Sequence, residues 1–226
     1  MLLLAAGFGM RLRPLTDRMP KCLVPIKGQP LLGIWLERLS AAGFGPFLIN
    51  THYLVDQVEA FIEGSPYRGR VDLVNEPVLL GTAGTLIKNL NFFEQQDCLL
   101  VHADNYCLAD FLNFQRAHSL RPMDCLITMM TFRASDPSAC GIVEIDKNGI
   151  VTSFHEKVTH PPGNLANGAI YLLSAAAIKK IRVEFPMAKD FSTEVLPNFL
   201  GQIYTHEISE TFLDIGTPSN YQKANG

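Results

Sequence analysis

No apolar run in the chain approaches the ~18 residues that a membrane-crossing helix requires. Membrane insertion is therefore not expected. Nor is there an excess of basic charge, since 19 Lys and Arg stand against 22 Asp and Glu, a formal net charge of −3. No global field draws such a protein to nucleic acid or to an anionic membrane surface. The five cysteines, Cys22, Cys98, Cys107, Cys125 and Cys140, show neither C-x-x-C spacing nor zinc-ligand spacing with histidine. Reduced thiols in a cytoplasmic protein are expected. Internal repeats, low-complexity tracts, long charge runs and Pro/Gly/Ser-rich linkers are also lacking. The opening MLLLAAGFGM has no basic n-region and its apolar run ends at Arg11, so it reads as a buried strand and not as a signal peptide. What remains is 226 residues, 47% hydrophobic, which suits a single domain with a sizeable core.

Strand-like and helix-like stretches alternate through the first half, the pattern of parallel strands joined by crossover helices. After the first strand and a loop, Leu32, Trp35, Leu36 and Leu39 recur at helical spacing. Pro30 suits a first helical turn and Gly43 an end. PFLINTHY reads as a strand, VDQVEAFIEG as an amphipathic helix, GRVDLVNE as a strand and TAGTLIKNLNFF as a helix. CLLVHADNY is apolar until its end, as a central strand buried on both faces would be. In the second half, Asn148-Gly149 between two alternating runs predicts a type I′ hairpin, and so an antiparallel insertion. STEVLPNFL reads as a helix that Pro197 kinks or ends. The fold class expected is α/β, a doubly wound, Rossmann-like mixed sheet that is mainly parallel.

The loop after the first strand is the most informative stretch. Gly7 and Gly9 form G-x-G, but position 12 is Leu, so the third glycine of the dinucleotide fingerprint is lacking. The G-x-x-x-x-G-K-[ST] phosphate loop fails as well, because no glycine precedes Lys21 and Cys22 follows it. Glycines still let backbone N–H groups approach phosphate oxygens and form an anion-binding nest. Arg11 adds a planar fork for phosphate oxygens and Lys21 a mobile point charge, while Pro14, Pro20 and Pro25 stiffen the loop. Arg13 and Arg18 read as solvated charges.

These residues carry a resemblance. LAAGFGMRLRPLTDRMPKCLVPI is similar to the signature G-x-G-x-R-L-x-P-L-T-x-x-x-P-K-x-L-x-P of the sugar-1-phosphate nucleotidylyltransferases. It departs from that signature at Met10, where the family commonly has Thr or Ser; a backbone amide survives the change. The similarity continues in NEPVLLGTAGTL, VHADN, FHEKVTHPPGNLANGAIYLL and FLDIGTPSNY, in family order. The resemblance implies a glycosyltransferase-A-like fold over residues 1–226 as one nucleotidyltransferase domain, without the β-helix domain of some relatives. It implies attack by a sugar 1-phosphate on the α-phosphorus of an NTP, giving an NDP-sugar and pyrophosphate. By the same resemblance Arg11, Lys21 and Asp104 are catalytic, Ala6, Gly7, Gly9, Met10, Glu76, Thr82 and Gly84 bind the nucleotide, and Gly141, Glu156, Lys157 and Asn167 receive the sugar phosphate. Asp104 and Asp214 then hold Mg²⁺. From the residues alone, Asp104 or Asp214 could equally cap a helix, and Glu156 and Lys157 could be an exposed ion pair at a strand end.

LLGTAGTL and INTHYLVDQVEAFI look most like the mannose-1-phosphate guanylyltransferase branch, so GTP and mannose 1-phosphate are the expected partners. Glu76 would accept from guanine N1–H and N2–H₂. Heptose-1-phosphate guanylyltransferases and N-acetylmuramate-1-phosphate uridylyltransferases are alternatives. A choline-phosphate cytidylyltransferase would want an aromatic or acidic cage that HPPGN does not offer. A non-catalytic nucleotide-sugar-binding homologue would have lost one of Arg11, Lys21, Asp104 or Asp214, and all four are present. A homo-oligomer is compatible with this reading.

Overall fold

The computed structural model describes residues 1–93 and 96–226. The chain forms two compact units. Among the described residues, no helix is long and apolar enough to cross a membrane.

The first unit comprises Met1–Leu79, Val101–Phe111 and Thr211–Gly226. Strand Leu2–Leu4 pairs in parallel with Phe47–Thr51, which pairs in parallel with Val71–Asn75. The end of strand Cys98–His102 lies on the other side of Leu2–Leu4, and Ala103 N–H donates to the Leu4 carbonyl at 3.0 Å. Strand order therefore reverses beside Leu2–Leu4, and the carboxyl ends at such a reversal form the crevice where open α/β sheets take ligands. All five residues of Phe47–Thr51 are buried, as a strand covered on both faces requires.

Helix Leu31–Ala41 buries Leu31, Leu32, Trp35, Leu36 and Leu39, so the helical spacing read from the sequence is the packing face. Pro30 caps this helix from outside its first turn, and Gly43 at φ +81° ends it. Two side chains of the helix reach a neighbouring segment. Trp35 Nε1 donates to the Asn105 carbonyl at 2.8 Å, and Arg38 Nη2 donates to the carbonyls of Leu108 and Ala109 at 2.8 and 2.9 Å. The segment so held, Asn105–Cys107, pairs antiparallel with Phe212–Asp214.

The second unit comprises Leu80–Leu100 and Leu112–Glu210. Strand Leu165–Leu173 pairs antiparallel with Ile127–Arg133 and with Gly141–Ile145, and Gly141–Ile145 pairs antiparallel with Val151–Glu156. Ile203–Glu207 pairs in parallel with Ile127–Arg133. The parallel strands of one unit and the antiparallel insertion of the other make the mixed α/β class expected. The hairpin turn differs from type I′. Gly149 takes φ +78° while Asn148 does not have a positive φ. Asp146 instead organises a longer loop, its Oδ1 accepting from Asn148 N–H at 2.8 Å and Ile150 N–H at 2.9 Å. An Asx side chain that satisfies the turn's donors removes the need for two left-handed residues. The helix expected around Pro197 is a π turn, Phe191–Val195, followed by a 3₁₀ turn, Leu196–Phe199. Pro197 supplies no N–H with which to continue a longer helix.

His118, on helix Phe111–Leu120, is buried, with Nδ1 2.7 Å from Thr128 Oγ1. Burial pushes its imidazole down to about 4, and the Arg121 cation acts in the same direction while Asp97 opposes them. The unfolded chain, with an ordinary histidine, binds the proton more tightly. Folding stability should therefore fall as pH drops from about 6.5 towards 4, at no more than ~1.4 kcal/mol per pH unit from this group. Urea titrations of wild type and His118→Gln across that range should show the smaller slope in the variant; equal slopes would remove the assignment.

Candidate active site

The glycine loop begins where strand Leu2–Leu4 ends. Gly9 stands at φ +63° with ψ +29°, and a Cβ there would lie 2.9 Å from Thr16 Cγ2 and 3.1 Å from Lys21 Cβ. Both backbone angle and space demand glycine at this position. Thr16 Oγ1 closes the loop by donating to the Gly9 carbonyl at 2.8 Å. Ala6 is buried at the base of the loop. Among the described residues, the N–H groups of Gly7, Phe8 and Met10 have no acceptor within the protein. Such unpartnered donors in a glycine turn suit an anion.

Lys21 is the centre of this unit's charge cluster. It sits on a 3₁₀ turn, Lys21–Leu23, all three residues of which are buried. Its ammonium donates to Asp104 Oδ2 at 2.8 Å and to Asp214 Oδ1 at 3.3 Å, with only 5% of the side chain exposed. Arg11 Nη2 lies 3.4 Å from Asp214 Oδ2. The two carboxylates meet because Asp214 pairs in register with Asn105, the residue after Asp104. Both keep access to solvent, at 38% for Asp104 and 47% for Asp214. Burial pushes the Asp104 carboxyl up, but the charges and hydrogen bond of Lys21, with His102, more than reverse this and leave it below the usual carboxylate range. Asp104 is therefore ionised at neutral pH.

Neither aspartate serves mainly as a helix cap. The helix Pro218–Asn225 is capped by Thr217, whose hydroxyl accepts from Asn220 N–H at 3.3 Å. Asp214 Oδ1 instead accepts from Gly216 N–H at 2.8 Å. A Cβ at Gly216 would lie 2.7 Å from Arg11 Nη2, 2.9 Å from Asp214 Oδ1 and 3.2 Å from Lys21 Nζ, so the cluster occupies the space a side chain would fill. Two hard carboxylate oxygens that already converge on one cation, and are half open to solvent, fit a Mg²⁺ ion completed by water and phosphate oxygens. Among the described residues, no group of three or more His, Cys, Asp or Glu could hold a metal by itself.

Glu76 does not present its carboxylate as a base reader must. It is 1% exposed, and its Oε1 accepts from Asn50 Nδ2 at 3.1 Å. Asn50 Oδ1 in turn accepts from Ala5 N–H at 2.8 Å, so this buried chain ties the root of the glycine loop to the neighbouring strand ends. The sequence signal for Asn50 is a polar residue closing the apolar run PFLIN. Beside it, Phe8 packs edge-on against His52, with ring centroids 5.0 Å apart.

The remaining expected residues belong to the second unit. Thr82 directs its hydroxyl inward, accepting from Phe191 N–H at 2.7 Å, and a Cβ on Gly84 would press on Leu80 Cβ at 3.2 Å. A Cβ on Gly141 would lie 2.7 Å from Glu156 Oε2 and 2.8 Å from the Phe154 ring. The glycine makes room for this chain's own Glu156, its partner in register. Lys157 follows in a left-handed conformation, φ +49°, its ammonium exposed and 3.3 Å from Glu156 Oε1. An ion pair this exposed contributes little to stability, so Lys157 can turn to a ligand at small cost. Asn167 is half-buried on Leu165–Leu173.

A glycine loop with unpartnered N–H groups, beside paired carboxylates and cations at the strand ends of an α/β sheet, suits phosphate groups. Over residues 1–226 the chain matches the nucleotidyl transferase family, and it belongs to that family. It is 30% identical over 225 residues to a mannose-1-phosphate guanylyltransferase of Mycobacterium tuberculosis, covering 96% of this chain and 61% of that protein. It is 27% identical to a glucose-1-phosphate adenylyltransferase of Thermotoga sp., covering 99% of this chain and 59% of that one. The chain thus spans about three fifths of the length of the curated relatives it matches. Among solved structures, HddC from Yersinia pseudotuberculosis superposes with a TM-score of 0.82 at 27% identity, covering 99% of this chain and 96% of that one. HddC has also been solved complexed with GMP-PN.

Two outcomes follow from the first unit's geometry. Because Lys21 is what lowers the Asp104 carboxyl against burial, Lys21→Met should raise the Asp104 titration, read by ¹³C NMR of labelled aspartate. An unmoved Asp104 would show that Lys21 does not control it. Because Glu76 is enclosed, Glu76→Gln should change kcat/KM for GTP and for UTP by the same factor. A loss confined to GTP and greater than ~10-fold, about 1.4 kcal/mol, would show that the carboxylate reaches the base.

Proposed function

We propose that the chain catalyses nucleotidyl transfer from an NTP to a sugar 1-phosphate, releasing pyrophosphate. The observation that carries this reading is the convergence of Arg11, Lys21, Asp104 and Asp214 beside the glycine loop. A phosphate oxygen of the sugar 1-phosphate attacks the α-phosphorus, the bond from that phosphorus to the bridging oxygen breaks, and pyrophosphate leaves. The attacking oxygen is already ionised, so no protein nucleophile or general base is required. The protein's tasks are to hold two polyanions together and to neutralise charge that develops on the α-phosphoryl and leaving groups.

Arg11 and Lys21 supply cations for the triphosphate, together with the N–H groups of Gly7, Phe8 and Met10. Asp104 and Asp214 would hold Mg²⁺, which when bound supplies further neutralisation of phosphate charge. Lys157 and Asn167 take the sugar phosphate, with Glu156 an acceptor for sugar hydroxyls. GTP is the preferred nucleotide and mannose 1-phosphate the preferred sugar. This choice is supported by the similarity to a guanylyltransferase that acts on mannose 1-phosphate and by that to HddC, solved with GMP-PN.

A pyrophosphate-release screen pairing ATP, GTP, UTP and dTTP with the 1-phosphates of mannose, glucose, a heptose and N-acetylmuramate tests the whole reading. Highest turnover is expected with GTP and mannose 1-phosphate. Asp104→Asn, folded as judged by circular dichroism, should lose at least ~100-fold in turnover, equivalent to ~2.7 kcal/mol of transition-state stabilisation. Near-normal Mg²⁺-dependent turnover in that variant would overturn the role of the carboxylates, and preference for another pair would replace the substrates while leaving the chemistry.

A further inference from the structure

Asn167 lies at an irregularity whose purpose the sheet does not explain. Against Ile127–Arg133, Asn167 faces Thr131 and Tyr171 faces Met129, so four residues of one strand advance against two of the other. Within the bulge, Ala169 is left-handed at φ +51°, a conformation costly for a residue with a Cβ. The distortion fixes one side chain. Asn167 Oδ1 accepts from Ala169 N–H at 2.9 Å, and Asn167 Nδ2 donates to Tyr171 Oη at 2.6 Å. Flipping the amide would oppose its NH₂ to the Ala169 N–H, so its orientation is set. One Nδ2–H and one Oδ1 lone pair are left for a ligand.

Tyr171 is wholly buried, its ring 4.9 Å from that of Phe191. The turn that carries Phe191 is itself clasped. Phe191 N–H donates to Thr82 Oγ1 at 2.7 Å, and Asp190 caps the turn by accepting from Thr193 N–H at 2.8 Å. The Lys189 carbonyl approaches so closely that a Cβ on Gly81, φ +81°, would lie 2.3 Å from it. One turn thus touches both the GTAG segment and the tyrosine that orients Asn167.

We propose that Tyr171 is a positioning residue for the sugar phosphate: it holds the Asn167 amide so that a single N–H is aimed at an acceptor oxygen of that substrate, and the turn 190–193 anchors it. The inference rests on Asn167 serving the sugar phosphate, as proposed above. Its chemical content is that the ligand must offer an acceptor, a phosphate or hydroxyl oxygen, to that N–H.

Tyr171→Phe keeps the ring against Phe191 and removes only the hydroxyl. Steady-state kinetics with mannose 1-phosphate and GTP, or with the pair the screen selects, should show KM for the sugar phosphate raised ~5- to 20-fold and KM for the nucleotide changed less than ~2-fold, the scale of one lost hydrogen bond. In an Asn167→Ala background the same substitution should have no further effect. Phe191→Leu, which removes the ring packed against Tyr171 and leaves its hydroxyl, should raise the same KM by a smaller factor and serves if Tyr171→Phe does not fold. If Asn167→Ala is impaired for the sugar phosphate while Tyr171→Phe and Phe191→Leu are normal, the positioning role is overturned and the role of Asn167 stands. Equal rises in both KM values, or full additivity of Tyr171→Phe with Asn167→Ala, would also overturn it. An Asn167→Ala variant with unchanged KM for the sugar phosphate would overturn the underlying assignment of Asn167, and the proposal with it.

Discussion

The ammonium of Lys21 joins parts of the first unit that are 83 and 193 residues away in sequence, through Asp104 and Asp214. A buried cation without partners would cost several kcal/mol, so this charge requires both carboxylates to be where they are. The demand runs the other way as well. Two carboxylates converging on one point repel each other unless a cation stands between them, and Lys21 holds Asp104 ionised against the burial around it. The thiol of Cys22, next to Lys21, is pushed up to about 12 by burial and so contributes packing and no charge.

The rest of the first unit reads as support for that cluster. Asp104 lies just past strand Cys98–His102, and Asp214 closes a three-residue strand that would have no fixed position alone. Pairing of Phe212–Asp214 with Asn105–Cys107 supplies one. Helix Leu31–Ala41 fixes the other member of the pair through Trp35 and Arg38, whose bonds go to backbone carbonyls and so constrain the chain path itself. The single tryptophan of the protein therefore does more than fill the core. Its indole N–H sets Asn105, the residue next to the Asp104 carboxylate that Lys21 holds.

Elements whose shape depends on near neighbours in sequence were legible in advance. The helix over Leu31–Ala41 showed itself through spacing, and the glycine loop through residues whose backbone had to be bare. What could not be read depended on residues brought near by folding. Asn148-Gly149 carries the pattern of a type I′ turn, yet Asp146 satisfies the turn's donors and changes its form. Glu76 has the chemistry to read guanine, but Asn50 turns its carboxylate inward. Gly141 is bare because Glu156, its cross-strand partner, lies over it, a fact of register that no local pattern contains. The bulge at Asn167 and Tyr171 leaves no mark in LANGAIYLL, since Ala169 is not a residue that signals a left-handed backbone.

These cases share a division of labour between polar groups. Asn50, Glu76, Thr82 and Tyr171 direct their hydrogen bonds inward and fix the backbone or amides around them. Arg11, Asp104, Asp214 and Lys157 keep charged ends within reach of solvent. The phosphoryl transfer proposed for this chain needs both kinds, because charge stabilisation works only when the charges need not reorganise as the reaction proceeds. Exposed charges on mobile side chains would otherwise spend much of their time solvated and misdirected. A sequence motif identifies the second kind by residue type alone, whereas the first kind is defined by what each group is bonded to. That is why the charged residues announce themselves in the sequence, while the inward bonds of Asn50, Glu76, Thr82 and Tyr171 do not.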